Sequence, residues 1–125
     1  MKEEKILILN DKNGKYWEVP GGRVDGNERF DETLAREHRE EIGYEGRIVR
    51  SKLVFADRLF KDINQQDTSL ALLFYRVVLP DLKKIKLSNE HTEYIWVGKR
   101  AALNKVAPEF RIAVSKAWEV QGFGK

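Results

Sequence analysis

Glu37, Glu40 and Glu41 crowd into the run Arg36-Glu-His-Arg-Glu-Glu-Ile-Gly43. On a helix, Glu37 and Glu41 stand i, i+4 and Glu37 and Glu40 i, i+3, so their Cβ atoms share one face, roughly 5–6 Å apart. Carboxylates at that spacing repel one another, and each pKa rises unless a cation or an arginine compensates. Such a helix either turns its acids to solvent, the commoner meaning of an acidic run, or holds a divalent metal. An all-oxygen donor set favours Mg²⁺ or Mn²⁺ over zinc. Mg²⁺ keeps several waters and shares its shell with substrate phosphate. It can neutralise phosphate charge, orient a pyrophosphate and activate a water. Gly21 and Gly22, just upstream, let backbone groups approach such a ligand closely.

The elements that must position these acids are legible in outline. Residues 5–9 (KILIL) read as a strand, 11–14 as a turn, and 16–19 as a short strand closed by Pro20-Gly21-Gly22. After a turn at Asp25-Gly26-Asn27, a helix is predicted over 30–42, with Asp31 and Glu32 favourably placed in its first turn. Gly43 suits a left-handed cap, and Phe30, Leu34, His38 and Ile42 form the expected inward stripe. Residues 47–59 read as one or two strands, 61–68 (KDINQQDT) as a polar loop, and 69–79 (SLALLFYRVVL) as a central strand buried on both faces. A turn at 80–84, a strand at 94–97 and a closing amphipathic helix over 107–120 complete the chain. Strands mixed with two helices suggest a sheet covered on both faces.

A length of 125 residues fits one domain, taken as 1–125, able to bury one core. With 42% hydrophobic and 34% charged residues the chain reads as soluble and globular, and no apolar run approaches the ~20 residues of a membrane span. Absence of cysteine excludes disulfides and thiolate metal sites. The first residues lack a signal-peptide pattern, so a cytoplasmic location is expected. A net charge of +3 is too small to argue for a stable nucleic-acid partner, yet residues 28–45 are rich in Glu within this basic chain. That contrast suggests a cation site facing an anionic ligand.

Gly22, Glu28, Arg36, Glu37, Glu40, Glu41 and Gly43 occupy every fixed position of Gly-x5-Glu-x7-Arg-Glu-U-x-Glu-Glu-x-Gly-U, where U is usually aliphatic. The segment thus resembles the Nudix box of the MutT-like hydrolases, and Trp17-Glu-Val-Pro-Gly-Gly22 resembles the family's approach to it. The resemblance implies an α/β fold, an α/β/α sandwich with a mixed sheet. It implies that Glu37, Glu40 and Glu41 bind Mg²⁺, or Mn²⁺, with the carbonyl of Gly21 or Gly22 as a further ligand. Arg36 and Glu28 would orient those carboxylates by ion pairing. The family attacks a phosphorus of a pyrophosphate with water, releasing a nucleoside monophosphate and a phosphorylated remainder. His38 departs from the pattern at a usually aliphatic position and reads first as a core histidine. Asn27 replaces a common glycine but tolerates the same geometry. The family's usual strand before 5–9 is missing or shortened, leaving an open sheet edge that a homodimer would cover.

Outside the box, water needs a base within hydrogen-bond reach. Some family members use a box glutamate and others a late-loop glutamate. In Leu87-Ser-Asn-Glu-His-Thr-Glu-Tyr-Ile-Trp96, Glu90 is the first choice and Glu93 the second, each weighed equally against a solvated surface acid; His91 reads as a surface histidine. The residues expected to carry catalysis are therefore Arg36, Glu37, Glu40, Glu41 and Glu90. Arg23 could reach substrate phosphates through its planar donor fork. Phe55, Phe60 and Tyr75 could stack on a base, although core packing is the plainer role.

The late-loop pattern also resembles nucleoside-triphosphate and dinucleoside-polyphosphate members. A small-molecule nucleotide is expected as substrate, a nucleoside triphosphate ahead of a dinucleoside polyphosphate or an ADP-sugar. Two competitors are a nucleotide-sensing module that does not cleave, which would be free to lose box acids, and an isoprenoid-diphosphate isomerase, which would need a cysteine.

Overall fold

The computed structural model describes residues 4–11, 14–22, 24–63 and 66–119. Its centre is β1 (Ile6–Asn10), which forms from the alternating β-branched and leucine run. Side chains alternate across a strand, so Ile8 enters one core and Leu7 and Leu9 another. Ile8 and Leu9 are fully buried, and burying such side chains is worth roughly 1.5–3 kcal/mol each. β1 is flanked on both sides. It pairs antiparallel with β4 (Glu93–Val97), in register from Ile6↔Val97 to Asn10↔Glu93. Opposite, Leu9 and Glu18 exchange two backbone hydrogen bonds of 2.8 Å.

A parallel bridge, Trp17↔Val106, joins the next segment to this arrangement. The strand predicted over 16–19 is reduced to these bridging residues. On the side away from β4, β1 is bridged at Leu9 alone among the described residues, so the open edge expected beside 5–9 is covered at that one position.

Two layers of helix sandwich these strands. On one face Ile8 and Val97 pack with Ala102 of α2 (Lys99–Lys105), Val106 and Val114 of α3 (Arg111–Ala117). On the other face Leu7 and Leu9 meet Ile42 at the end of α1 (Phe30–Ile42), Tyr44, and the half-buried Leu82, Ile85 and Leu87. This is the α/β/α layering, with both parallel and antiparallel contacts, that the sequence leads one to expect.

The remaining strands form a long antiparallel hairpin, β2 (Val49–Ile63) and β3 (Gln66–Val78), with register shifts between Arg50 and Phe55. The Arg76 guanidinium donates to the Ala117 carbonyl at 3.2 Å and ion-pairs with Glu4. Phe74 meets Phe110 edge-on at 6.0 Å. These contacts tie the hairpin to the C-terminal helical layer.

Several expectations need correction. Strand pairing runs through most of 61–68, because the two strands satisfy each other's backbone groups despite polar side chains. β3 is not central among the described residues: it pairs with β2, and Leu73 is 39% exposed. Phe30 is 47% exposed, because the buried face of α1 lies further along, at Thr33, His38, Glu41 and Ile42. The closing helix begins with a 3₁₀ turn at Pro108–Phe110 before α3, and α2 was not anticipated. No helix among the described residues is long and apolar enough to cross a membrane.

Candidate active site

The acids sit on α1, and both ends of that helix are fixed by local chemistry. At its start the Arg29 N–H donates to Glu32 Oε1 at 3.0 Å, satisfying an amide the helix cannot. At its end Gly43 adopts φ 73° and donates its N–H to the Arg39 carbonyl, while the Tyr44 N–H donates to His38 O. A left-handed residue there stops the helix, and glycine carries no Cβ penalty. The loop between β3 and β4 then caps two further carbonyls: Lys86 N–H donates to Ile42 O at 2.9 Å and Ser88 N–H to Glu41 O at 3.2 Å. That docking carries Glu90 and His91 toward the acids.

Arg36 organises the charge. Its Nε donates to Glu28 Oε2 at 2.8 Å and its Nη2 to Glu28 Oε1 at 3.1 Å, a bidentate fork. Its Nη1 donates to Glu37 Oε1 at 2.7 Å and to Glu40 Oε2 at 3.2 Å, and Asp25 lies 3.5 Å from Nη2. Glu28 also accepts the Asp25 N–H and the Thr33 hydroxyl. The Arg36 hydrogen bond, followed by the Asp25 amide, lowers the Glu28 carboxyl to about pKa 2. Reciprocally, the Arg36 pKa is raised, chiefly by Glu28 and despite desolvation. This pair is an anchor, ionised on both sides.

Glu37 and Glu41 behave differently. Burial raises the Glu37 pKa, with Arg36 opposing and Glu40 and Glu90 adding like-charge repulsion. Glu41 is only 7% exposed. Burial pushes its carboxyl up to about pKa 8; the Gly21 N–H, donated at 2.8 Å, opposes, and Glu37, Glu18 and Glu90 add to the rise. Gly22 packs so tightly that a Cβ there would overlap the Glu37 carboxylate. What marks Gly22 is this close approach and not an unusual φ: any larger residue must push the Glu37 carboxylate aside.

Among the described residues, no group of three acidic or imidazole side chains stands gathered as a ready cation site; Arg36 bridges Glu37 and Glu40 instead. The donor set nevertheless suits a hard cation. It is all oxygen, and two of its carboxyls are held in an environment that disfavours their negative charge until a positive one compensates.

The structure therefore sets Glu28, Glu37 and Glu40 around Arg36, places Gly22 against Glu37, ties Glu41 to Gly21, and brings Glu90 within electrostatic range of Glu37 and Glu41. Arg23 and the Phe60 side chain lie outside the described residues. His38 is buried, its Nδ1–H donating to Leu34 O at 2.5 Å, and burial lowers its pKa: a core histidine. Phe55 packs against Phe74, and the Arg50 guanidinium covers Tyr75 at 4.8 Å, so neither ring stands alone.

His91, expected at the surface, is 7% exposed and bonds to Glu18 at 3.2 Å. Glu18 was missed altogether. Period-two alternation offered a signal, since Trp17 and Val19 pack into the core and leave Glu18 on the opposite face.

A family model described as NUDIX domain matches residues 1–116. The asymmetrical bis(5'-nucleosyl)-tetraphosphatase of Mus musculus is 30% identical over 102 residues, 78% of this chain and 67% of that protein. A putative 8-oxo-dGTP diphosphatase of Bacillus subtilis is 34% identical over 61 residues, 49% of this chain and 41% of that protein. The chain thus spans only part of each relative's length. The backbone is similar to that of a C. elegans Ap4A hydrolase, with TM-score 0.69 and 20% identity, covering 92% of this chain and 84% of that one.

Proposed function

The chain belongs to the NUDIX domain family, and from that premise we propose that it hydrolyses the phosphoric anhydride of a small nucleotide, foremost a nucleoside triphosphate. The observation that carries the proposal is the pair of charge-frustrated carboxyls on α1, half-buried Glu37 and buried Glu41, beside the Gly21-Gly22 turn. A solvated ion-pair face would leave those carboxyls in water. In the proposed reaction water adds to a phosphorus, one P–O–P link breaks, and a nucleoside monophosphate departs alongside pyrophosphate.

Each residue has a role in this account. Glu37, Glu40, Glu41 and the Gly22 carbonyl would hold Mg²⁺, with Mn²⁺ able to replace it. The bound ion would offset phosphate charge and favour ionisation of a water. Glu90 accepts the proton of the attacking water. Arg36, anchored by Glu28, aims Glu37 and Glu40. The Gly21 amide fixes Glu41, and Arg23 reaches for substrate phosphate. Residues 1–125 act as a single hydrolase domain in the cytoplasm, without a stable nucleic-acid partner.

The Bacillus relative is named for a nucleoside triphosphate, which supports the leading substrate class. The mouse relative matches more of the chain and supports a dinucleoside polyphosphate as the second reading. A panel of triphosphates, dinucleoside polyphosphates and nucleotide sugars, incubated with Mg²⁺ and resolved by ion-exchange chromatography, separates them. Monophosphate and pyrophosphate from triphosphates are expected. Binding without turnover across the panel would instead identify a sensor.

A further inference from the structure

His91 has no part in the reaction as described, yet its placement is costly. It is 7% exposed, its Nε2–H donates to Glu18 Oε2 at 3.2 Å, and its Nδ1 has no hydrogen-bond partner among the described residues. Burying an imidazole with one nitrogen unsatisfied carries a desolvation penalty that a phenylalanine of similar shape avoids. Packing alone therefore does not account for a histidine. What distinguishes it is the bond to Glu18.

That bond spans two segments that flank Glu41. The first runs from Glu18, held to Leu9 by paired backbone hydrogen bonds, to Gly21, whose N–H reaches Glu41. The second carries Glu90 and is pinned at Ser88 N–H to Glu41 O and at Thr92 N–H to Asn10 O, 2.9 Å. Between those pins, among the described residues, only local bonds hold the turn: His91 N–H to Ser88 O and Glu90 N–H to Ser88 Oγ, both 3.3 Å. The His91 side chain supplies the tie from this turn to the facing segment.

We infer that His91 is a positioning residue: its bond to Glu18 latches the Glu90 turn to the segment leading into Gly21-Gly22, and so sets the Glu90 carboxylate against Glu37 and Glu41. The inference rests on the hydrolytic reading above, in which Glu90 serves as base.

His91→Phe, His91→Gln, Glu18→Ala, Glu90→Gln and the double variant His91→Phe/Glu90→Gln test it. Each is assayed for kcat and KM on the nucleotide the parent cleaves fastest, for Tm, and for hydrogen exchange at the Ser88 and Thr92 amides. His91→Phe is expected to keep its Tm and its KM while kcat falls roughly 10- to 100-fold, the scale of an ångström-sized misplacement. His91→Gln, which retains an N–H donor, should recover part of that loss, and Glu18→Ala should reproduce it. In the Glu90→Gln background the same change should cost less than about two-fold, because residues acting as one unit are not additive.

Native kcat in His91→Phe, or an undiminished loss in the Glu90→Gln background, overturns the latch. Should His91→Phe not fold, native kcat in Glu18→Ala overturns it equally. If the parent cleaves nothing, the hydrolytic reading fails by itself, and exchange decides the latch. Faster exchange in His91→Phe, restored in His91→Gln, supports it; unchanged exchange overturns it.

Discussion

Glu28 and Glu41 lie on either side of Arg36's reach and have opposite relations to pH. Glu28 is held at about pKa 2 against a usual 4.5. A group whose folded pKa is depressed stabilises the fold above its unfolded value and loses that contribution as pH falls through the folded one. The Glu28 contribution is therefore intact above pH 4.5 and disappears toward pH 2. Denaturant unfolding should show this decline in the parent and not in Glu28→Gln. Glu41, pushed up to about 8, has the reverse sign. Its proton is bound more tightly in the fold, so its contribution is present below pH 4.5 and is lost as pH climbs to about 8. Chelator-treated protein should lose stability over that window, Glu41→Gln should not, and added Mg²⁺ should flatten the parent's slope.

Gly22→Ala makes a third residue-scale case. Its Cβ must displace the Glu37 carboxylate, the far end of a flexible side chain, so the change falls on where Glu37 points rather than on the fold. Turnover should fall by more than tenfold while circular dichroism stays native. If Gly22→Ala turns over at the parent's rate, the close approach has no role in catalysis.

Elements were legible where a local signal fixed them. The bounds of α1 follow from the acids in its first turn and from Gly43, all read from adjacent residues. Gly43→Ala tests that cap: forcing a Cβ into φ 73° and against Lys86 Cβ at 3.1 Å should cost about 1–2 kcal/mol in urea unfolding. A cost near zero would mean that the helix end is held by something else.

What depended on distant partners was not legible. The ladder from Asp62↔Asp67 to Val49↔Val78 is a pairing between strands, and polar residues at its tip disguised it as loop. α2 offers no capping side chain at Gly98 and buries only Ala102, so its sequence carries little helical pattern. Pro108 opens a 3₁₀ turn that splits the apolar periodicity of the final segment. The site divides the same way. The box spacing gave Glu37, Glu40 and Glu41, whereas Glu18 and His91 acquire meaning only when segments 73 residues apart meet.

At the scale of the molecule, β1 separates two cores that share no side chain. Ile8 lies in one and Ile42 in the other, both fully buried. Ile8→Val and Ile42→Val should each cost about 0.5–1.5 kcal/mol. With no shared contact, their double variant should match the sum within about 0.5 kcal/mol. A larger coupling would mean that the strand layer transmits strain between the helix carrying the acids and the C-terminal helices.

The account depends most on the acids of α1 acting with a divalent cation on a phosphoric anhydride. Its most direct test is the Mg²⁺-dependent release of nucleoside monophosphate by the parent, Glu40→Gln and Glu41→Gln, each checked for native circular dichroism. The predicted result is turnover in the parent that EDTA abolishes, with each variant slower by orders of magnitude. Near-native rates in both variants, or parent turnover indifferent to EDTA, would contradict it.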